Sequence, residues 1–139
     1  KNAIVASDYY IIPAKMDYLS TLGINQLRNH VDNLVSQYNR YCDGTMTQPI
    51  DPKFLGVIAT MISLRNQTPI AAHQYYIDAL TRNGVPLFRS MIRENKTLFS
   101  SAPDSGYPVV KQQHASGTYA EIVRELQELT TEFMEKIGV

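Results

Sequence analysis

The chain has little cysteine, no excess of either charge and no long apolar run, and each shortage removes a class of protein. Its single cysteine, Cys42, excludes an internal disulfide and suits a reducing cytosol. No histidine lies near Cys42 in sequence, so an idle residue beside a loop is expected, with a nucleophile as the alternative. No apolar run approaches the ~20 residues that cross a bilayer, and no segment resembles a signal peptide. His30, His73 and His114 lack ligand spacing and neighbouring cysteine pairs, which argues against a metal site. There are no internal repeats and no low-complexity tracts. With 13 basic and 13 acidic residues, no global field draws the chain to nucleic acid or membrane.

What is present describes one ordinary globular domain spanning residues 1–139, with 44% hydrophobic and 19% charged residues. The balanced total conceals an uneven distribution. Between residues 53 and 111 seven basic residues face only Asp78, Glu94 and Asp104. From Tyr119 onward five glutamates face Arg124 and Lys136. The chain thus has a basic middle and an acidic tail.

Lys1 opens directly onto Ala3-Ile4-Val5-Ala6, without an initiator methionine. Ala6-Ser7-Asp8-Tyr9-Tyr10-Ile11-Ile12-Pro13 reads as a helix end, a polar turn and a buried strand that Pro13 stops. A buried strand this early leads to the expectation that the chain starts inside a domain. Ile24, Leu27, Val31, Leu34, Val35 and Tyr38 recur at three- and four-residue spacing and predict a helix over 18–41. Asp43-Gly44-Thr45 ends it, and 42–53 reads as a mobile surface loop. Phe54-Leu55-Gly56-Val57-Ile58-Ala59-Thr60-Met61 has the continuous apolar character of a strand covered on both faces.

Thr68-Pro69 predicts a helix start, and Asn83-Gly84 supplies a stop after Arg82. Residues 85–92 predict a second strand with Pro86 at its beginning. Asn95 predicts the cap of a short helix through Ser101, Val109-Val110 a brief strand, and Thr118-Tyr119-Ala120-Glu121 a capping box opening a final helix. Strands alternating with helices imply parallel pairing, so the fold class is α/β.

In their order and spacing these pieces resemble the C-terminal half of ParA/MinD-type partition ATPases, the deviant-Walker branch of P-loop NTPases. The resemblance spans essentially the whole chain. It is carried by the strand ending at Pro13, by Asp17-Tyr18-Leu19-Ser20 with Gly23 behind it, and by Leu55-Gly56-Val57 with Thr60-Met61 and Arg65. Ser101-Ala102-Pro103-Asp104-Ser105-Gly106-Tyr107-Pro108-Val109 resembles the family's Glu-Ala-Pro-Ser-x-Gly-x-Pro-Val turn. The chain departs from the family in three respects. No Gly-Lys-Ser/Thr phosphate loop occurs, Ile92-Arg93-Glu94-Asn95 replaces the frequent Ile-Pro-Arg-Asn, and about one extra residue precedes Ala102.

The resemblance implies a partial parallel-sheet, three-layer, P-loop NTPase-like fold lacking its N-terminal strands. It implies a parent that binds ATP and Mg2+ between two subunits and dimerises when ATP is bound. Such a parent associates non-specifically with DNA and is released by slow hydrolysis that a ParB-like partner stimulates. The expected location is the nucleoid in the cytoplasm. Without the phosphate loop, this chain alone is expected not to hydrolyse ATP.

Carried onto matching positions, the resemblance makes Met61, Ile92 and Arg93 candidates for contact with the nucleotide base, at the strand ends where open parallel sheets bind ligands. The plainer alternative for Met61 and Ile92 is strand-end core. Arg65, Arg93 and Lys96 are candidates for DNA contact, or else solvated surface charges. Asp17 and Ser20 either cap the long helix or face a partner subunit. Asp8 invites comparison with a phosphoacceptor but precedes its strand, where an acceptor would follow one. The last helix is amphipathic with a polar face rich in glutamate, which disfavours a membrane-surface role and favours the ParA branch. Missing partner strands would leave an open edge at residues 9–13, so self-association is expected. Two further readings remain: an α/β interaction or regulatory module without nucleotide chemistry, and a related ATPase that positions another cargo.

Overall fold

Apolar sequence at both ends of a long amphipathic helix folds as a parallel βαβ unit. A computed structural model describes residues 2–111 and 117–139, leaving aside the side chains of 101–103 and 105. After a one-turn helix α1 (Asn2–Val5), β1 (Tyr9–Lys15) pairs in parallel with β2 (Lys53–Thr60), and α2 (Tyr18–Cys42) makes the crossover. The fold is therefore α/β, as expected. Pro13 does not stop β1, which continues to Lys15. Proline is tolerated there because β1 is the outer strand of its pair, where a missing donor removes no ladder bond on the open side.

A bulge where Tyr10 pairs with Phe54 but Ile11 with Gly56 re-phases the two strands. Beyond it Ile12 and Ala14 sit opposite Val57 and Ala59, all four buried. Gly56 has φ +138°, and a Cβ there would lie 3.0 Å from the Pro86 carbonyl oxygen. Only glycine accepts both that backbone conformation and that approach.

Residues 85–94 run parallel to β2 but do not form the continuous strand that the sequence predicts. Val57 and Phe88 amides donate to the Pro86 and Val57 carbonyls at 2.8 and 2.9 Å. Farther on, the amides of Ile92, Ile62 and Glu94 donate to Ala59, Ile92 and Ile62 carbonyls at 2.9–3.0 Å. Between these two sets the Arg89 and Ser90 amides turn to a side chain of the last helix, which interrupts the ladder.

Between β2 and α3 (Ala71–Arg82) lies a two-residue hairpin, β3 (Leu64–Arg65) with β4 (Thr68–Pro69). Asn66 and Gln67 at its tip both have positive φ, 52° and 62°, as a hairpin turn matched to strand twist requires. Thr68-Pro69 is thus a strand and not a helix start; α3 begins after Ile70, without a side-chain cap. Its stop is as predicted, with Asn83 and Gly84 amides closing on Ala79 and Thr81 carbonyls.

α4 (Lys96–Ser105) starts with the Leu98 amide on the Asn95 carboxamide oxygen at 2.8 Å, the predicted cap, but extends through residues read as a turn. Val109–Lys111 forms a 3-10 helix where a strand was expected. α5 (Thr118–Ile137) has Gly117 at its N-cap with no side-chain cap, so the Thr118-Glu121 box does not form. Glu121 is engaged elsewhere.

Two apolar clusters result. One joins Ile12, Ala14, Met16, Val57, Ala59 and Ile62 of the sheet region to Ile24 of α2 and Leu80 of α3. The other joins Leu98 and Val109 to Ile122 of α5. No helix among the described residues is long and apolar enough to cross a membrane.

Candidate functional site

The C-terminal ends of β1 and β2 and the 92–96 loop enclose a cavity of about 520 Å³. Lys15, Thr60, Met61, Ile92, Lys96 and Phe99 are among its lining residues. Met61 is the first residue beyond β2 and takes φ 54°, a left-handed conformation that costs a non-glycine side chain of order 1 kcal/mol. The side chain stays 51% exposed at the cavity. The next residue, Ile62, is 1% exposed and bound through its backbone to Ile92 and Glu94. The strained turn therefore buries Ile62 and delivers Met61 to the opening.

Of the residues expected at the nucleotide base, Met61, half-buried Ile92 and Arg93 all line this cavity. The Arg93 guanidinium is committed elsewhere. Its Nε donates to Glu125 at 2.7 Å and its Nη1 to Glu121 at 2.8 Å, and the side chain is only 12% exposed. Hydrogen bonds donated to Glu125, set against burial and helped by its charge, hold the Arg93 pKa above its usual value.

Lys96 is exposed, with its ammonium 3.8 Å from Glu94, and lies at the same cavity. Arg65 lies apart from that lining, exposed beside the hairpin tip, and has no ion-pair partner among the described residues. Asp17 caps α2, its carboxylate accepting from the Ser20 amide at 2.8 Å. That bond holds the Asp17 pKa below the ordinary value.

The cavity lining mixes apolar Met61, Ile92 and Phe99 with basic Lys15 and Lys96. Glu94 is its one carboxylate, and no group of three His, Cys, Asp or Glu among the described residues could hold a metal ion. His73 is occupied, accepting the Ser63 amide at Nδ1 over 3.1 Å, and His114 lies outside the described residues.

α5 is attached through carboxylates that no local sequence signal pairs with their partners. Glu132 is 4% exposed and accepts the Arg89 and Ser90 amides, both at 2.8 Å, one on each carboxylate oxygen. Burial alone would raise its pKa; the amide hydrogen bonds outweigh that and hold it below the ordinary value. Arg89 also reaches Glu135 at 2.8 Å. A signal for each half was present: Glu121, Glu125, Glu128, Glu132 and Glu135 recur at spacings of four and three, one stripe of a helix, and Arg89 and Arg93 are four apart. The basic middle and the acidic tail meet here.

No protein-family model and no curated protein sequence matches the chain.

Proposed function

We propose that the cavity at the strand ends receives the base of a nucleotide, and that the chain is the base-side half of a ParA-like, P-loop NTPase-type ATPase. The observation that carries this reading is the strained Met61 turn lining, together with Ile92, a cavity at the C-terminal ends of parallel strands, where such sheets bind ligands. Phosphates, magnesium and the hydrolytic chemistry belong to motifs absent from this sequence, so the chain binds the base and does not turn ATP over. A groove of about 250 Å³ along β1, lined by Ile4, Ile11, Leu27 and Leu34, is where the parent's remaining strands or a second copy would pack. In this reading Arg65 and Lys96 make the non-specific DNA contacts, while Arg93 is held by α5.

Photolabelling with an azido-adenine nucleotide tests the base site. Label recovered on residues 60–62 or 92–96, without nucleotide turnover, is the expected result. Label confined to other segments, or magnesium-dependent turnover by this chain, would overturn it.

A further inference from the structure

The cavity wall formed by Ile92 and the residues up to α4 has no regular secondary structure, so something must hold its shape. Arg93 sits at its centre. The backbone there bridges to Ile62, two residues beyond β2, and both chain neighbours of Arg93, Ile92 and Glu94, line the cavity. The guanidinium points the other way and is gripped by α5: Nε and Nη2 on Glu125, at 2.7 and 2.5 Å, and Nη1 on Glu121 at 2.8 Å.

A guanidinium is a flat, rigid fork, so two carboxylates on different donors fix its position as well as its charge. The Glu125 side chain is 17% exposed, and its second oxygen is buried with no hydrogen-bond partner among the described residues. The whole Glu125–Arg93 contact therefore rests on one oxygen. Removing that charge leaves a guanidinium whose side chain is only 12% exposed with Glu121 as its remaining carboxylate partner, a cost that movement of the 92–96 segment would relieve.

We propose that Glu125, assisted by Glu121, is a positioning residue for this wall, so that α5 sets the shape of the cavity. This deepens the base-site reading and rests on it for the identity of the ligand. By thermodynamic linkage, a ligand filling the cavity in turn tightens the grip of α5.

Amide hydrogen exchange on the full chain tests the proposal, because it separates the wall from the rest. Glu125→Gln is expected to accelerate exchange at Ile92, Glu94, Asn95 and Lys96 by about tenfold or more, with Ile12 and Val57 unchanged. Glu132→Gln loosens α5 at a point outside the cavity and is expected to leave the wall amides within about twofold. Arg93→Lys retains the charge but loses the fork; it serves if Glu125→Gln folds poorly, with the same expectation. Unchanged wall amides in Glu125→Gln, or equal acceleration by Glu132→Gln, would overturn the proposal. A parallel adenosine titration is expected to weaken by about fivefold in Glu125→Gln. No adenosine binding by the unaltered chain would count against the base site alone, and exchange would still decide the role of α5.

Discussion

The α2–α3 side of the sheet and the α5 side are held by different physics. On the first, Ile24 and Leu80 lie with Ile12, Val57 and Ala59 in one apolar cluster, with the Arg28 guanidinium over the Phe54 ring at its edge. On the second, a smaller apolar cluster around Ile122 near the start of α5 is joined by carboxylate contacts from Glu121, Glu125 and Glu132 and by the Lys136 ammonium over the Phe88 ring. Apolar burial is non-directional and holds a layer without fixing any one residue, whereas a carboxylate on two amides or on a guanidinium fork fixes particular atoms. The directional attachment coincides with the segment that needs it, since residues 89–93 leave the β2 ladder just where α5 takes their amides and the arginine. The cavity wall is thus held from the side of the molecule whose contacts are the more directional.

The comparison can be broken most strongly at Ile24, which is 1% exposed. Ile24→Ala is expected to cost about 3–4 kcal/mol in chemical denaturation, with no dependence on pH between 4 and 8. Glu132→Ala, which strips two amides of their acceptor, is expected to cost about 2–3 kcal/mol and to loosen α5 before the sheet. Because the Glu132 pKa is depressed when folded, its contribution is complete above the ordinary carboxylate value of 4.5 and is lost as pH falls below it. Acid titration followed by hydrogen exchange should therefore release α5 first in the unaltered chain and show no such step in Glu132→Ala. The smallest effect is at Arg65. Arg65→Ala is expected to leave stability within about 0.5 kcal/mol while weakening salt-dependent binding to plasmid DNA by a few-fold in gel shifts.

The apolar side was largely legible in the sequence because its signals are local. The three-and-four spacing of α2, the Asn83-Gly84 stop and the Asn95 cap each act within a turn or two of chain. Failures came where distant partners decide. Thr68-Pro69 carries a helix-start signal, but the Asn66-Gln67 turn folds it back onto Leu64-Arg65. The Val109-Val110 pair has strand propensity but no open strand beside it, and packs as a 3-10 turn against α5. Glu121 suited a capping box, yet an arginine 28 residues earlier in the chain binds it instead. The Glu132 clamp joins residues 43 apart, and no local window contains both partners. Of the candidate site, the family resemblance pointed to Met61, Ile92 and Arg93, which line one cavity, whereas the withdrawal of the Arg93 guanidinium depends on partners 28 and 32 residues away.

The most direct measurement is a methyl and amide NMR titration of the chain with adenosine and, separately, with ATP. The expected result is saturable movement of the Met61 methyl and the Ile92 and Lys96 amides, with similar affinities on the order of 1 mM for both ligands, because the base supplies the contact and no phosphate cradle is present. Shifts confined to other residues, or none at either ligand, would contradict a base site at these strand ends.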